Sequence, residues 1–168
     1  MRAFMPESYL FRDRQHAGQE LAEALGHLSD LNPLVLALPR GGVPVAFEVA
    51  HRLKAPLDLV LVRKIGAPGN EELALGAVID DGIATGATVR AALKGLKKSS
   101  PRRIVLAVPV GPRAEIEMLR ADVDELVCLA MPEPFIGVGR HYENFDQTDD
   151  EQVIDLLARA QAFTGATL

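Results

Sequence analysis

The stretch "AVIDDGIATGATVRAAL", residues 77–93, decides the reading of this chain. An apolar run ends in Asp80 and Asp81. A short loop of glycine, alanine and threonine follows, and then apolar residues at helical spacing: Val89, Ala92, Leu93 and Leu96. The pattern predicts a strand, a loop and a helix. In an open parallel sheet, ligands bind beyond the carboxyl ends of the strands, which is where the two aspartates fall. The first N–H groups of a helix lack intrahelical partners and, with the helix dipole, favour an anion. Gly82, Ile83, Ala84, Thr85, Gly86, Ala87 and Thr88 therefore read as a phosphate loop, with small residues for close backbone approach and two hydroxyl donors. Carboxylates repel phosphate but accept hydrogen bonds from vicinal hydroxyls. Together the stretch reads as a ribose 5-phosphate cradle, with Asp80 and Asp81 on the 2′- and 3′-hydroxyls. A strand end with a solvated acidic turn is the plainer reading. The doubled aspartate, both threonines and the helix in step favour the cradle. The loop is neither a Walker A sequence nor a G-x-G-x-x-G fingerprint.

Working outward, short apolar runs recur at 34–38, 57–62, 75–79, 104–110 and 126–131, rich in valine and leucine. Strands buried on both faces read this way. Helical spacing marks Leu21, Ala24, Leu25 and Leu28; Ala46, Val49, Ala50 and Leu53; and Val153, Leu156, Leu157 and Ala160. Strands alternating with helices predict an α/β fold with a parallel β-sheet flanked by helices. The stretch 132–150, "PEPFIGVGRHYENFDQTDD", predicts an irregular excursion before the last helix. One joint is unusual. The connection "RKIGAPGNEELA" is too short and too rich in glycine and proline for a covering crossover helix, so "LGAV" runs almost directly into "IDDG".

The chain has 168 residues, 48% hydrophobic and 24% charged, with a formal net charge of −5. This suits a single domain over 1–168. The acidic balance argues against nucleic acid or an anionic membrane as partner. No signal peptide and no apolar run of membrane-spanning length is evident, which makes the cytoplasm the expected location. Cys128 is the only cysteine and reads as a small core residue.

The acidic pair followed by a loop ending Thr-Gly-x-Thr resembles the signature for 5-phosphoribosyl 1-pyrophosphate in the type I phosphoribosyltransferase family. "ALPRGGVPVAFEVA" (37–50) resembles that family's pyrophosphate loop and following helix, and the 132–150 region resembles a bacterial subgroup of uncharacterised members. Bare amides at Gly41 and Gly42 and the Arg40 guanidinium also suit a diphosphate on physical grounds. The resemblance implies the type I fold with a reduced hood, because the usual flap segment before the acidic pair is lacking. It implies transfer of the phosphoribosyl group to a nitrogenous base with release of pyrophosphate. It implies Asp80 and Asp81 as catalytic residues, Pro39, Arg40, Gly41, Gly42 and Lys64 at the pyrophosphate, and a cis Pro39–Arg40 peptide. Mg²⁺ is the implied cofactor, held mainly by substrate and water and with no direct protein ligand. The implied partners are the activated sugar and a base, and a homodimer remains open. Ala84 stands where 6-oxopurine members carry an aspartate, as it does in adenine-type members. Phe135, Val138 and Tyr142 are candidate base contacts, with packing against the sheet edge as the alternative for each. His141 is a further candidate polar contact. The alternative function is a non-catalytic, regulatory binder of nucleotide or ribose phosphate on the same fold.

Overall fold

The computed structural model describes residues 9–60 and 74–164. Five strands, β1 (Leu34–Ala37), β2 (Leu57–Leu59), β3 (Leu75–Ile79), β4 (Arg103–Val110) and β5 (Glu125–Ala130), form one sheet in the order β2-β1-β3-β4-β5. Every pairing is parallel. The helices are α1 (Arg14–Ala24), α2 (Gly42–Leu53), α3 (Ala87–Lys97), α4 (Arg113–Leu119) and α5 (Asp150–Ala160).

Both faces of the sheet are covered, and the strands alternate between the two layers. Val35, Ala37, Ala77, Ile79, Val105 and Ala107 pack with residues of α1, α2 and α5. Leu36, Val78, Leu106 and Val108 pack with Val89, Leu93 and Leu96 of α3 and with Ile116 and Leu119 of α4. Each face buries apolar side chains, so β1, β3 and β4 from Ile104 onward read as continuous apolar runs, while the edge strands β2 and β5 carry Asp58 and Glu125. Cys128 lies in β5, where burial pushes its thiol up to about 11.

The α1 face differs from its spacing-based assignment. Ala24 is exposed, and Ala17, Gly18, Leu21 and Ala22 are buried. The cause is close helix packing. A Cβ on Gly18 would lie 2.7 Å from the Val45 carbonyl oxygen, so α1 meets α2 through its smallest side chains. Helix α4 was not foreseen. It has seven residues, too few for a periodic stripe to show.

The strand order has a consequence for function. The chain leaves β1 for β2 on one side, then returns to β3 on the other side of β1. The crevice between the carboxyl ends of β1 and β3 is the topological switch point, where open α/β sheets place ligands. Both loops singled out in the sequence open there, 39–42 after β1 and 80–88 after β3. Register fixes their juxtaposition: Ala37 pairs with Ile79, and the Leu38 N–H donates to the Ile79 carbonyl at 2.9 Å.

The stretch 132–150 is irregular, as expected, with one 3₁₀ turn at Val138–His141. It returns over the sheet edge and pairs with the N-terminal segment, where Tyr142 bridges to Phe11. It ends in a capping box that starts α5. The Asp149 carboxylate accepts from the Gln152 N–H at 2.8 Å, and the Gln152 side chain accepts from the Asp149 N–H at 2.9 Å.

Candidate active site

Asp80 and Asp81 follow directly on β3. Asp80 Oδ1 accepts from the Asp81 N–H at 2.8 Å. Asp81 Oδ2 accepts from Arg14 Nε at 2.9 Å in a largely buried ion pair, with side-chain exposures of 12% and 14%. Burial, and then the adjacent Asp81 charge, push the Asp80 carboxyl well above the usual carboxylate range, while Arg14 works in the opposite direction.

The loop after β1 packs against this pair. The Pro39–Arg40 peptide is cis, as the resemblance implies. A Cβ on Gly41 would collide with the Asp81 carboxylate. One on Gly42 would lie 2.8 Å from the Ile79 carbonyl oxygen and 3.1 Å from Asp80 Cα. The two glycines thus have a steric reason that the sequence did not disclose: they let the β1 loop touch the acidic pair. Arg40 is half-exposed, and its Nε donates to Asp150 at the start of α5 at 2.8 Å. Lys64 lies outside the described residues, as does the joint at 63–73.

The β3–α3 loop divides its amides. The Ile83 N–H donates to the Val110 carbonyl at 2.9 Å, and the Ile83 side chain is buried against α4. Ile83 thereby anchors the loop to the core. Ala84, Thr85, Ala87 and Thr88 are exposed. Gly86 has φ +84°, in the left-handed region that glycine tolerates, and its carbonyl accepts from the Arg90 N–H at 2.8 Å as α3 begins. The Thr85 hydroxyl lies 3.3 Å from the Ala87 N–H. Arg90 braces the loop from beneath. It donates to the Thr85 carbonyl at 3.1 Å and to Glu115 of α4 at 2.8 Å.

The three candidate base contacts separate. Val138 stands over the ribose loop, where its Cγ1 would be 2.5 Å from a Cβ on Gly82. Phe135 is half-buried and stacked on His141, with centroids 5.4 Å apart. Burial and Arg140 lower the His141 pKa. The His141 Nε2 is buried and has no hydrogen-bond partner among the described residues. Tyr142 is 2% exposed, its ring packed beside Phe11 and Phe145. Its hydroxyl donates to the Asp81 carbonyl at 2.7 Å. The ring offers no open face, so Tyr142 supports the acidic pair from behind.

Sequence reading missed Arg14, Arg90 and Glu115. Arg14 lies 67 residues from Asp81 on another element, and no local spacing links them.

The model of the phosphoribosyl transferase domain matches residues 12–143, which contain both loops and the excursion up to Glu143. The chain belongs to the phosphoribosyl transferase family. A Mycobacterium tuberculosis protein named "Putative phosphoribosyl transferase" is 38% identical over 208 residues, covering 90% of this chain and 47% of the relative. The chain spans about half the length of the curated relatives it matches. That match is longer than the 168 residues here, so the relative carries residues with no counterpart in this chain. Among solved structures, TT1426 from Thermus thermophilus is similar at TM-score 0.79 and 33% identity, covering 89% of this chain and 98% of that one. The orotate phosphoribosyltransferase from Aeropyrum pernix shares the fold at TM-score 0.54 and 24% identity, covering 68% of each chain. Among the described residues, no helix of this family member is long and apolar enough to cross a membrane.

Proposed function

We propose that this chain, working as one cytoplasmic domain over 1–168, binds 5-phosphoribosyl 1-pyrophosphate and transfers its phosphoribosyl group to a nitrogenous base. One observation carries the reading. At the β1/β3 switch point, a doubled aspartate and an anion loop at a helix start lie against a glycine turn bearing an arginine. Asp80 and Asp81 would receive the ribose hydroxyls through the oxygens not engaged with the Asp81 N–H and Arg14. Because Ile83 is tied to β4, the 5′-phosphate would meet the segment Ala84–Thr88, exposed at every position but Gly86. Gly41, Gly42 and Arg40 would address the pyrophosphate. The exposed Arg40–Asp150 pair is worth at most about 1 kcal/mol, so a diphosphate can draw Arg40 away from it. Lys64 is a further candidate there. Phe135, Val138 and His141 would face the incoming base.

In the reaction, the base nitrogen forms a bond to C1 of the ribose as the C1–O bond to pyrophosphate breaks, with inversion. The bonding pair leaves with pyrophosphate, and the nitrogen gives up its proton to solvent. Positive charge grows on the sugar ring, and the carboxylates beneath it stabilise that charge. Among the described residues, no group of three or more His, Cys, Asp or Glu side chains could hold a metal. Mg²⁺ would be carried mainly by substrate oxygens and water, as is usual for this ion. When bound, that ion would neutralise charge on the leaving pyrophosphate.

The test is titration calorimetry with the magnesium complex of the activated sugar. Asp80→Asn with Asp81→Asn should abolish binding, and unchanged affinity would refute the reading. The short connection before the acidic pair, with no room for a covering crossover helix, favours one second reading, a regulatory binder without turnover. Pyrophosphate release across a panel of bases separates the two.

A further inference from the structure

Among the described residues, Arg14 is the side chain that touches the acidic pair, the β1 loop and the excursion together. Its Nε donates to Asp81 Oδ2 at 2.9 Å and would lie 3.2 Å from a Cβ on Gly41. Its Nη1 donates to the Asp146 carbonyl at 2.6 Å, and its guanidinium carbon sits 4.0 Å from the centre of the Phe145 ring. Phe145 in turn packs on Tyr142, whose hydroxyl holds the Asp81 backbone. Asp81 is thus gripped at its side chain by Arg14 and at its carbonyl by Tyr142. Both grips run into the segment that carries the candidate base contacts.

We propose that Arg14 is a positioning residue of the sugar site, fixing the Asp81 carboxylate and coupling it to the 142–146 segment. The proposal rests on the ribose reading of the acidic pair given above. The guanidinium is a rigid planar fork that can serve the carboxylate, the carbonyl and the aromatic face at once. A lysine supplies charge but not that set of directions. The same positive charge lowers the Asp80 carboxyl against the burial and the Asp81 charge that raise it. The charged and titratable groups facing Asp80 are Asp81 on its own loop, Arg14 from α1 and Tyr142 from the excursion.

Two measurements on Arg14→Gln and Arg14→Lys test this, after circular dichroism has confirmed folding. The first is a carbon-13 NMR titration of the Asp80 carboxyl, which needs no ligand. Its midpoint should rise in Arg14→Gln and stay nearer wild type in Arg14→Lys. The second is calorimetry with magnesium 5-phosphoribosyl 1-pyrophosphate and, separately, magnesium pyrophosphate. Losing a charge-assisted hydrogen bond that orients the sugar carboxylate should weaken the sugar ligand about tenfold or more in Arg14→Gln. Pyrophosphate alone, which does not use Asp81, should keep its affinity. An unmoved Asp80 midpoint, an unchanged affinity for the sugar ligand, or equal losses for both ligands would overturn the proposal. If wild type binds pyrophosphate but not the sugar ligand, the ribose reading fails by itself. The brace on the acidic pair is then judged by the NMR midpoint alone.

Discussion

The contact between Val138 and Gly82 gives a test of how the excursion is seated on the ribose loop. In Gly82→Ala the new methyl carbon would lie 2.5 and 3.0 Å from the two γ-carbons of Val138 and 3.1 Å from Val110 Cγ1. Carbon atoms in contact prefer about 3.5–4.0 Å, so Val138 must retreat by about 1 Å. Val110 is fully buried in β4 and has nowhere to go. Val138 sits half-buried on a single 3₁₀ turn and yields first. Gly82 is not among the residues with positive φ, so alanine suits its backbone and the cost is one of packing. Overpacking of this kind destabilises by about 1–3 kcal/mol. Val138→Ala alone removes two partly buried methyl groups, at about 1 kcal/mol. Independent effects would sum in the double variant. The geometry says otherwise: removing the Val138 methyls opens the space that a methyl at position 82 needs. The double variant, Gly82→Ala with Val138→Ala, should therefore lie close to Val138→Ala alone, with a favourable coupling of about 1–2 kcal/mol. Urea unfolding of the four proteins at one pH measures it. Additive midpoints with unchanged m-values would show that Val138 is not what Gly82 accommodates.

Two further predictions concern the acidic pair. The folded state raises the Asp80 carboxyl above its usual 3.8, so the native protein holds that proton more tightly than the unfolded chain. The resulting stability is complete below the unfolded value and is lost as pH rises through the raised folded value. Asp80→Asn should consequently be more stable than wild type near neutral pH, with the advantage shrinking as pH falls towards 4; urea midpoints that stay parallel across that range would contradict it. Tyr142→Phe keeps the ring contacts but removes the 2.7 Å hydrogen bond to the Asp81 carbonyl. It should cost about 1–3 kcal/mol, which is about 2–4 °C in Tm per kcal/mol for a chain of this size. Calorimetric scans showing no shift would count against that support.

Much of the fold was legible because its determinants are local. A strand buried on both faces needs apolar residues at every position, and the runs at 34–38, 75–79 and 104–110 show that requirement directly. Helix α4 escaped because seven residues cannot display a period of 3.6. The site divides along the same line. The acidic pair and its loop are one continuous stretch whose chemistry follows from residue types in order. The supports of that pair come from elsewhere: Arg14 from α1, Tyr142 from the excursion, Gly41 from the β1 loop. Glycine at 41 and 42 illustrates the difference. In the sequence, a glycine pair beside an arginine implies backbone open to an anion. In the structure the same pair also has to admit the Asp81 carboxylate and the Ile79 carbonyl. Both demands fall on one loop because β1 and β3 are neighbours, a relation set by sheet order and invisible in any local window. If that second demand governs, Gly41→Ala should displace Asp81 from Arg14 even with no ligand present. The Asp80 carboxyl midpoint would then shift, because the Asp81 charge that raises it has moved. A glycine kept only for anion approach would leave that midpoint where it was.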